Sequence, residues 1–418
     1  MKRQRGLATL LVTVMLLVVS LIFSLSSYKN IFYQIKRTQN EVMARKAHWL
    51  AEGGLECSFS KVMLEPDLSV ITNPNYFDST CNFQNLNLSI SSIALNSYKV
   101  LSATELGSAR ANIQRNIVIG GDRLPGAIKA TSDLILDADG GTFTFYPDPG
   151  KKAGDDYECV LMRYAGKVEI VGTVVNQGLD WNFPPYDGFH DDASSWPSCK
   201  SSHQSTVHNN EINLTQDKPR EFGNDYQKIS SQYDAFKDVF FTDRKNWQTV
   251  RDKSAIVVGS KECASDIANI IAKGDLRVWV EGNCDLGMNV SAIQESIDKS
   301  GSPGAVIVVQ DGILAVNGSH KLDALIYHFK SPASSFMPTN EQWDQMSSGG
   351  DLSEAEKGRV AYFQNGSFFP SGGYVMDAPG LTAKIRGSVN FSFNGDVYQQ
   401  ALEDLVTIKW QEGSWHDF

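Results

Sequence analysis

The sequence predicts an α+β protein in which a long N-terminal helix crosses a membrane and a large, mainly β domain with helical insertions follows. Three observations carry this expectation. Leu7 to Tyr28 is an uncharged apolar run with Lys2, Arg3 and Arg5 before it. An amphipathic pattern then continues to Glu65, and beyond it short β-branched and aromatic runs alternate with glycine turns.

The apolar run is long enough to span a bilayer, because its 22 residues at the helical rise make about 33 Å against a hydrocarbon core of about 30 Å. Cationic residues ahead of it keep the first six residues cytoplasmic and send the remainder across. Three fates are open to such a segment. A secretory signal would be cut behind the run, where Ser24-Leu25-Ser26 is a passable small-x-small site. An uncleaved anchor would keep everything. The third fate follows from Gly6, which stands between the charged leader and Leu7-Ala8-Thr9-Leu10-Leu11.

That arrangement resembles the class III leader of type IV pilins and type II secretion pseudopilins. The resemblance implies that a prepilin peptidase cuts after Gly6, that the new N-terminus at Leu7 is methylated, and that the helix is kept. It also implies a journey from the inner membrane, with the C-terminal domain in the periplasm, to a filament. One position departs from the common pattern. Major pilins carry Glu at the fifth mature position, where this chain has Leu11. A carboxylate buried without its cation is costly, and a subunit at the tip has no neighbour above it to pair with. In this respect the chain is similar to tip-forming minor pilins of the PilX-like and GspK-like kind.

The helix is expected to continue past the membrane through Ile31, Ile35, Val42, Ala47, Leu50, Ala51 and Leu55, with Lys36, Arg37, Glu41, Arg45 and Lys46 between them. The stretch Ala51-Glu52-Gly53-Gly54-Leu55-Glu56 resembles the Ala/Glu-rich segment at this depth in PilX-like proteins. Two adjacent glycines cost about 1 kcal/mol each in a helix, so a bend or local melting is expected there. Pro66 ends the helix if Glu65 has not.

The domain plan is therefore a leader over 1–6, a membrane or filament-core helix over 7–28, its continuation over 29–65, and a β-rich domain over 66–418. The chain is 42% hydrophobic and 21% charged, which is globular in character. Its formal charge is −10, and removing the leader's three cations makes it −13, which disfavours indiscriminate binding to nucleic acid. The spacing of Cys57, Cys81, Cys159, Cys199, Cys263 and Cys284 groups them as neighbours, and an exported chain makes disulfides the default.

Strands are expected at Ile113–Ile119, Leu134–Leu136, Thr142–Tyr146, Val168–Val175, Ala255–Val258, Arg277–Glu281, Ala305–Gln310, Lys321–Phe329, Ala361–Phe363, Ala383–Phe393 and Leu405–Trp410. Turns such as Val171-Gly172-Thr173, Glu281-Gly282-Asn283, Asn317-Gly318-Ser319 and Arg386-Gly387-Ser388 suggest the stacked coils of a short β-solenoid. A sheet of pilin type elaborated by insertions is the competing architecture. Insertions are expected near 180–253 and 331–358, the first containing a long loop and a polar, helix-compatible segment.

Catalytic signatures are missing from the sequence: there is no HExxH, no Gly-x-Ser-x-Gly elbow, no Walker loop and no dinucleotide fingerprint. No enzyme activity and no cofactor are expected. His190, Asp191, Asp192, His203 and His208 could line a metal site in their loop. Asp137-Ala138-Asp139-Gly140-Gly141 offers hard oxygen ligands suited to calcium, a cation known in some pseudopilins that resemble this chain. Lys228, Lys237, Arg244, Lys245, Arg251 and Lys253 lie among Tyr233, Phe236, Phe240 and Trp247, which suits phosphate contact with base stacking, but neighbouring aspartates nearly cancel the charge. The expected role is a minor pilin that primes pilus assembly and sits at the tip. Its partners would be other minor pilins, the major pilin, prepilin peptidase and the inner-membrane assembly platform. A tip adhesin, a DNA receptor and a type II secretion pseudopilin are the alternatives.

Overall fold

The computed structural model describes residues 4–64, 71–73, 75–94, 97–119, 124–208, 222–230, 232–287, 289–405 and 408–417. The leader cations Lys2 and Arg3, and Pro66 as a helix stop, lie outside these residues, as do the side chains of Arg5, Gly6 and Leu7. Contacts divide the chain into two compact units, Met1–Ile119 with Ile408–Phe418, and Gly120–Thr407. The boundary differs from the expected break at residue 66, because the first unit draws its last strands from the C-terminus.

In the first unit, helix α1 runs unbroken over Gln4–Leu64. Its last turns lie on an antiparallel meander of Leu86–Ala94, Ser97–Leu106 and Ala109–Ile119, which Ile408–Trp410 and His416–Asp417 extend along the third strand. Small residues make the approach close. Ala47, Ala51, Gly54, Leu55, Ser58 and Val62 are buried, and they recur at three- and four-residue spacing on one helix face. The local melting expected at Gly53-Gly54 does not occur, since both residues are helical. Instead Gly54 is the contact point, since a Cβ there would stand 2.6 Å from Ser102 Oγ and 2.9 Å from both Leu86 methyls. The Thr104 hydroxyl donates to the Ala47 carbonyl at 3.0 Å, and the Cys57–Cys81 disulfide fixes the helix to the segment before the meander.

The second unit is a pair of stacked, mostly parallel sheets. One has the order Tyr226–Lys228, Met162–Tyr164, Ile128–Ala130, Tyr374–Asp377, Ala324–Phe329, Ala305–Gln310, Arg277–Glu281 and Ala255–Val258, parallel throughout. The other has the order Thr206–His208, Val168–Asn176, Asp133–Tyr146, Thr382–Arg386, Val360–Asn365, Leu314–Asn317 and Cys284–Gly287, parallel except at its first pair. The chain mostly passes from one sheet to the other and back, so that most successive pairs of strands form one coil of a β-solenoid; Ala255–Val258 is an exception, joined through the helix Cys263–Ile271 to its neighbour Arg277–Glu281 in the same sheet. Central strands such as Ala305–Gln310 and Ala324–Phe329 read as continuous apolar runs because both of their faces are covered. Of the two architectures anticipated for the β-rich domain, the solenoid describes the second unit, while the first unit carries a separate antiparallel sheet.

The order of the coils does not follow the order of the chain. Ile128–Ala130 and Asp133–Tyr146, the first coil in sequence, sit in the middle of the stack, with Met162–Tyr164 and Val168–Asn176 on one side. After Tyr226–Lys228 the chain restarts at the far end with Ala255–Val258 and winds back, until Tyr374–Asp377 and Thr382–Arg386 close against that first coil.

Glycines build one corner of the stack. Gly318, Gly366 and Gly387 have φ of 113°, 119° and 125°, a region that side chains avoid. Their N–H groups donate to Asn365, Arg386 and Asp137 carbonyls at 3.0, 2.9 and 2.8 Å, each on the next coil. A Cβ on Gly366 would meet the Gly318 carbonyl oxygen at 2.4 Å, so only hydrogen fits.

Strand boundaries differ from expectation in places. The run Lys321–Phe329 breaks at Asp323 into Lys321–Leu322 and Ala324–Phe329, and Ala383–Phe393 breaks into Thr382–Arg386 and Asn390–Ser392 around the Gly387 corner. Leu134–Leu136 and Thr142–Tyr146 are parts of one strand, irregular between Asp137 and Thr142.

Candidate functional site

The candidate site is α1 itself. Every described residue from Thr9 to Lys46 is exposed, although Thr9–Leu64 contains a window of mean hydropathy 2.5. A helix this apolar and this bare needs a nonaqueous surrounding, either lipid or other helices. The Thr13 hydroxyl lies within hydrogen-bond reach of the Leu10 and Thr9 carbonyls, at 2.8 and 3.1 Å, so this side chain finds its acceptor inside the helix. Where the apolar run ends, Lys29 lies 5.9 Å from the centre of the Tyr33 ring and Lys36 5.6 Å from that of Phe32. Aromatic and cationic residues of this kind favour a membrane interface. The sequence carried that signal in Tyr28, Lys29, Phe32, Tyr33 and Lys36, and hydrophobic periodicity alone passed over it.

Leu11 is on the bare part of the helix, 56% exposed. Gly6 and Leu7 fall within the first turns of α1. The six cysteines pair as Cys57–Cys81, Cys159–Cys199 and Cys263–Cys284, with Cα separations of 5.8, 5.5 and 5.5 Å.

Other predicted residues are brought to different places. Asp137 accepts the Asp139 N–H at 3.1 Å across the irregular turn, and the Asp139 carboxylate faces Arg386 at 3.5 Å. The histidine loop does not converge. His190 pairs with Ser195 Oγ at 3.0 Å, His203 with Ser202 Oγ at 3.0 Å, and His208 with Thr173 Oγ1 at 3.1 Å, while Asp192 caps the turn at Ser194 and Ser195. Its backbone and hydroxyl donors hold the Asp192 carboxyl below the usual range. Among the described residues no three His, Cys, Asp or Glu side chains come together as metal ligands would.

The aromatic and basic segment near 233–253 is a cover for the outer face of a sheet. Phe236 and Phe240 are fully buried against Tyr327, and Trp247 stacks on Trp279 with centroids 5.9 Å apart. Three of its cations are paired as well. Lys237 pairs with Asp243 at 2.7 Å, Arg251 with Glu281 at 2.5 Å, and Arg244 with the fully buried Asp377. Asp377 also accepts from the Tyr327 hydroxyl at 2.7 Å and the Thr131 hydroxyl at 2.8 Å. Beside it the buried pair Lys129–Asp238 is completed by the Tyr233 hydroxyl at 2.7 Å and the Leu124 N–H at 2.6 Å. Burial opposes ionisation of Asp238, but these donors outweigh it and keep the carboxyl below its ordinary pKa. The rings are therefore core, and no row of stacked aromatics is offered to bases.

No protein-family model, no curated protein and no solved structure matches the chain.

Proposed function

We propose that the chain is a minor pilin that is cut after Gly6, held in the inner membrane by α1 with its folded units in the periplasm, and then assembled with other pilins at a filament tip. The observation that supports this most directly is the double character of one continuous helix. Gln4–Leu64 is bare and apolar at its start and laid on an antiparallel meander at its end, so the same element can anchor, assemble and carry a globular unit. Its mechanism would be packing. The Leu7–Tyr28 stretch leaves lipid for the helices of partners, where Leu11 brings no charge that would need a mate. Mass spectrometry of the mature N-terminus tests the proposal. Methyl-Leu7, lost in Gly6→Ala, is the expected result, and a terminus at Ser27 or Tyr28 overturns it.

A tip adhesin is the second reading, and one observation favours it. Trp181 and Phe183, 45% and 39% exposed, stand on the tight turn Asp180–Phe183 of the solenoid unit. Replacing both with Ser should leave filaments intact and abolish attachment if that reading holds. Unchanged attachment would return the solenoid to a structural role.

A further inference from the structure

The buried and bare stripes of α1 lie on opposite sides. At about 100° per residue, Ala47, Ala51, Gly54, Ser58 and Val62 form the face on the sheet, and Ile31, Ile35, Val42 and Trp49 form a second stripe about 165° away. Sequence periodicity places all these apolar positions on one amphipathic helix, but the structure separates them. Ile35, Val42 and Trp49 are 50%, 45% and 66% exposed. Trp49 matters most, because it stays bare at a level where the opposite face is already packed. The second stripe also keeps a heptad: Tyr28, Ile35, Val42 and Trp49 are seven residues apart. That is the period of a helix meant to run alongside another helix.

Charge says which helix. Between Tyr28 and Gly53 stand Lys29, Lys36, Arg37, Arg45 and Lys46 against Glu41 and Glu52, in a chain of net charge −10, and Glu52 lies 3.3 Å from His48. Glu41 is already taken by Arg37 at 3.3 Å. Arg45 and Lys46, which flank the stripe, form no ion pair among the described residues. Arg45 lines a shallow groove with His48, Trp49, Arg110 and Asp417, where Asp417 faces His48 at 3.4 Å and Arg110 pairs with Glu105 at 2.9 Å, so Arg45 is the cation left open there. A second copy in parallel would set these cations against each other. Gly53 gives a further sign. It costs about 1 kcal/mol in a helix, it is exposed, and a Cβ there would touch nothing within 4 Å, so no contact inside the chain requires it.

We infer that the back face of α1 from Ile31 to Gly53 docks an amphipathic helix of a different polypeptide, one whose apolar seam is flanked by carboxylates. The inference rests on the assembly reading given above and names the partner's chemistry. Its test leaves processing at Gly6 untouched, so the two can fail separately.

The full chain in phosphatidylcholine nanodiscs is titrated with two synthetic helical peptides of about four heptads that share a Leu/Ile seam, one flanked by Glu and the other by Lys. Fluorescence anisotropy of the labelled peptides is the readout. The Glu-flanked peptide should bind at least tenfold tighter, and the double substitution Arg45→Glu with Lys46→Glu should invert that preference. Val42→Ser with Trp49→Ser should weaken both peptides at least tenfold. Every substituted side chain is exposed, and an intact Cys57–Cys81 bond with an unchanged helical signal certifies each fold. Equal binding of the two peptides, or binding of neither, overturns the inference. So does self-association through a disulfide formed by Val42→Cys, which would make the occupant a second copy. Trp49 emission that follows added phosphatidylglycerol and ignores both peptides would make the occupant a lipid surface, with the same consequence.

Discussion

Gly53 and Gly54 are neighbours in sequence and should respond oppositely to the same substitution. Replacing either with Ala removes the entropic penalty of glycine in a helix, a gain of about 1 kcal/mol. At position 53 nothing opposes that gain, because the new methyl reaches no atom within 4 Å. At position 54 the methyl would enter the space of Ser102 Oγ at 2.6 Å and of the Leu86 methyls at 2.9 Å. Such overpacking costs about 1–3 kcal/mol, so the net change runs from near zero to about 2 kcal/mol of destabilisation. The two variants should therefore differ by about 1–3 kcal/mol, or about five- to a hundredfold in an opening equilibrium. Hydrogen exchange on the full chain, read in peptides covering Leu55–Val62, measures this locally, without assuming that both units unfold together. Protection should rise in Gly53→Ala and fall or stay level in Gly54→Ala. Equal protection gains in both variants would refute the close approach of helix to sheet at Gly54.

Other consequences can be measured in the solenoid unit. Gly366→Ala forces a side chain into φ of 119° and against the Gly318 carbonyl at 2.4 Å, so a loss of about 2–4 kcal/mol in urea unfolding is expected; a loss below about 0.5 kcal/mol would contradict the glycine corner. Cys263–Cys284 closes a loop of 21 residues from the first turn of its helix to an end strand, and replacing both with Ala should cost about 3 kcal/mol of unfolding stability. Asp238→Asn should cost about 3–5 kcal/mol, because it removes the buried carboxylate charge that Lys129 and Tyr233 hydrogen-bond, and a melting temperature unchanged from wild type would argue against the pair. Acid stability should fall in two stages. His328 is neutral in the core, donating Nε2–H to the Gly312 carbonyl at 2.8 Å, and burial holds its pKa below normal. Its contribution is present above the unfolded value of about 6.5 and is lost as pH drops towards the folded one. Asp238, also depressed, and Glu356, at about 2 despite burial because Lys384 and Ser353 hydrogen-bond it, add a second loss below about pH 4. His328→Gln should remove the first stage alone, as a pH series of thermal melts would show.

Much of this was written in local pattern. The apolar run, the pairing of nearby cysteines and strands such as Arg277–Glu281 and Ala305–Gln310 depend on neighbours in sequence, and the sequence discloses them with the right boundaries. What depends on remote partners was invisible. Gly54 is a contact point only because Leu86 and Ser102 lie opposite it, and nothing within the helix separates it from Gly53. The hairpin of Leu86–Ala94 and Ser97–Leu106 escaped although Leu86 to Ser91 alternates apolar and polar residues, because its second strand buries Ser102 and Thr104 on the same face as Tyr98 and Val100, which blurs the apolar pattern there. Aromatic residues at 236, 240 and 247 could equally have been exposed. Only the ladder that places Trp279, Val308 and Tyr327 side by side beneath them makes them core.

The same distinction explains how so large a unit can interrupt the meander. The solenoid leaves the first unit after Ile119 and returns at Ile408, and these two residues are direct partners in the antiparallel ladder. Entry and exit are therefore about 5 Å apart, the spacing of adjacent strands, so the sheet accepts the insertion without stretching its own register. A solenoid wound in simple chain order would begin at one end of its stack and finish at the other, several strand spacings away. Here the first coil, Ile128–Ala130 with Asp133–Tyr146, is met by the late strands Tyr374–Asp377 and Thr382–Arg386, which brings the beginning and the end of the winding together in mid-stack. The unit does not end at that junction: after Thr382–Arg386 the chain runs through Asn390–Ser392 and Gln399–Leu402 to Asp404, which pairs with Arg277 on the next-to-last strand of the stack. The direct pairing of Ile119 with Ile408 is therefore what accommodates the insertion, whatever the order of the coils.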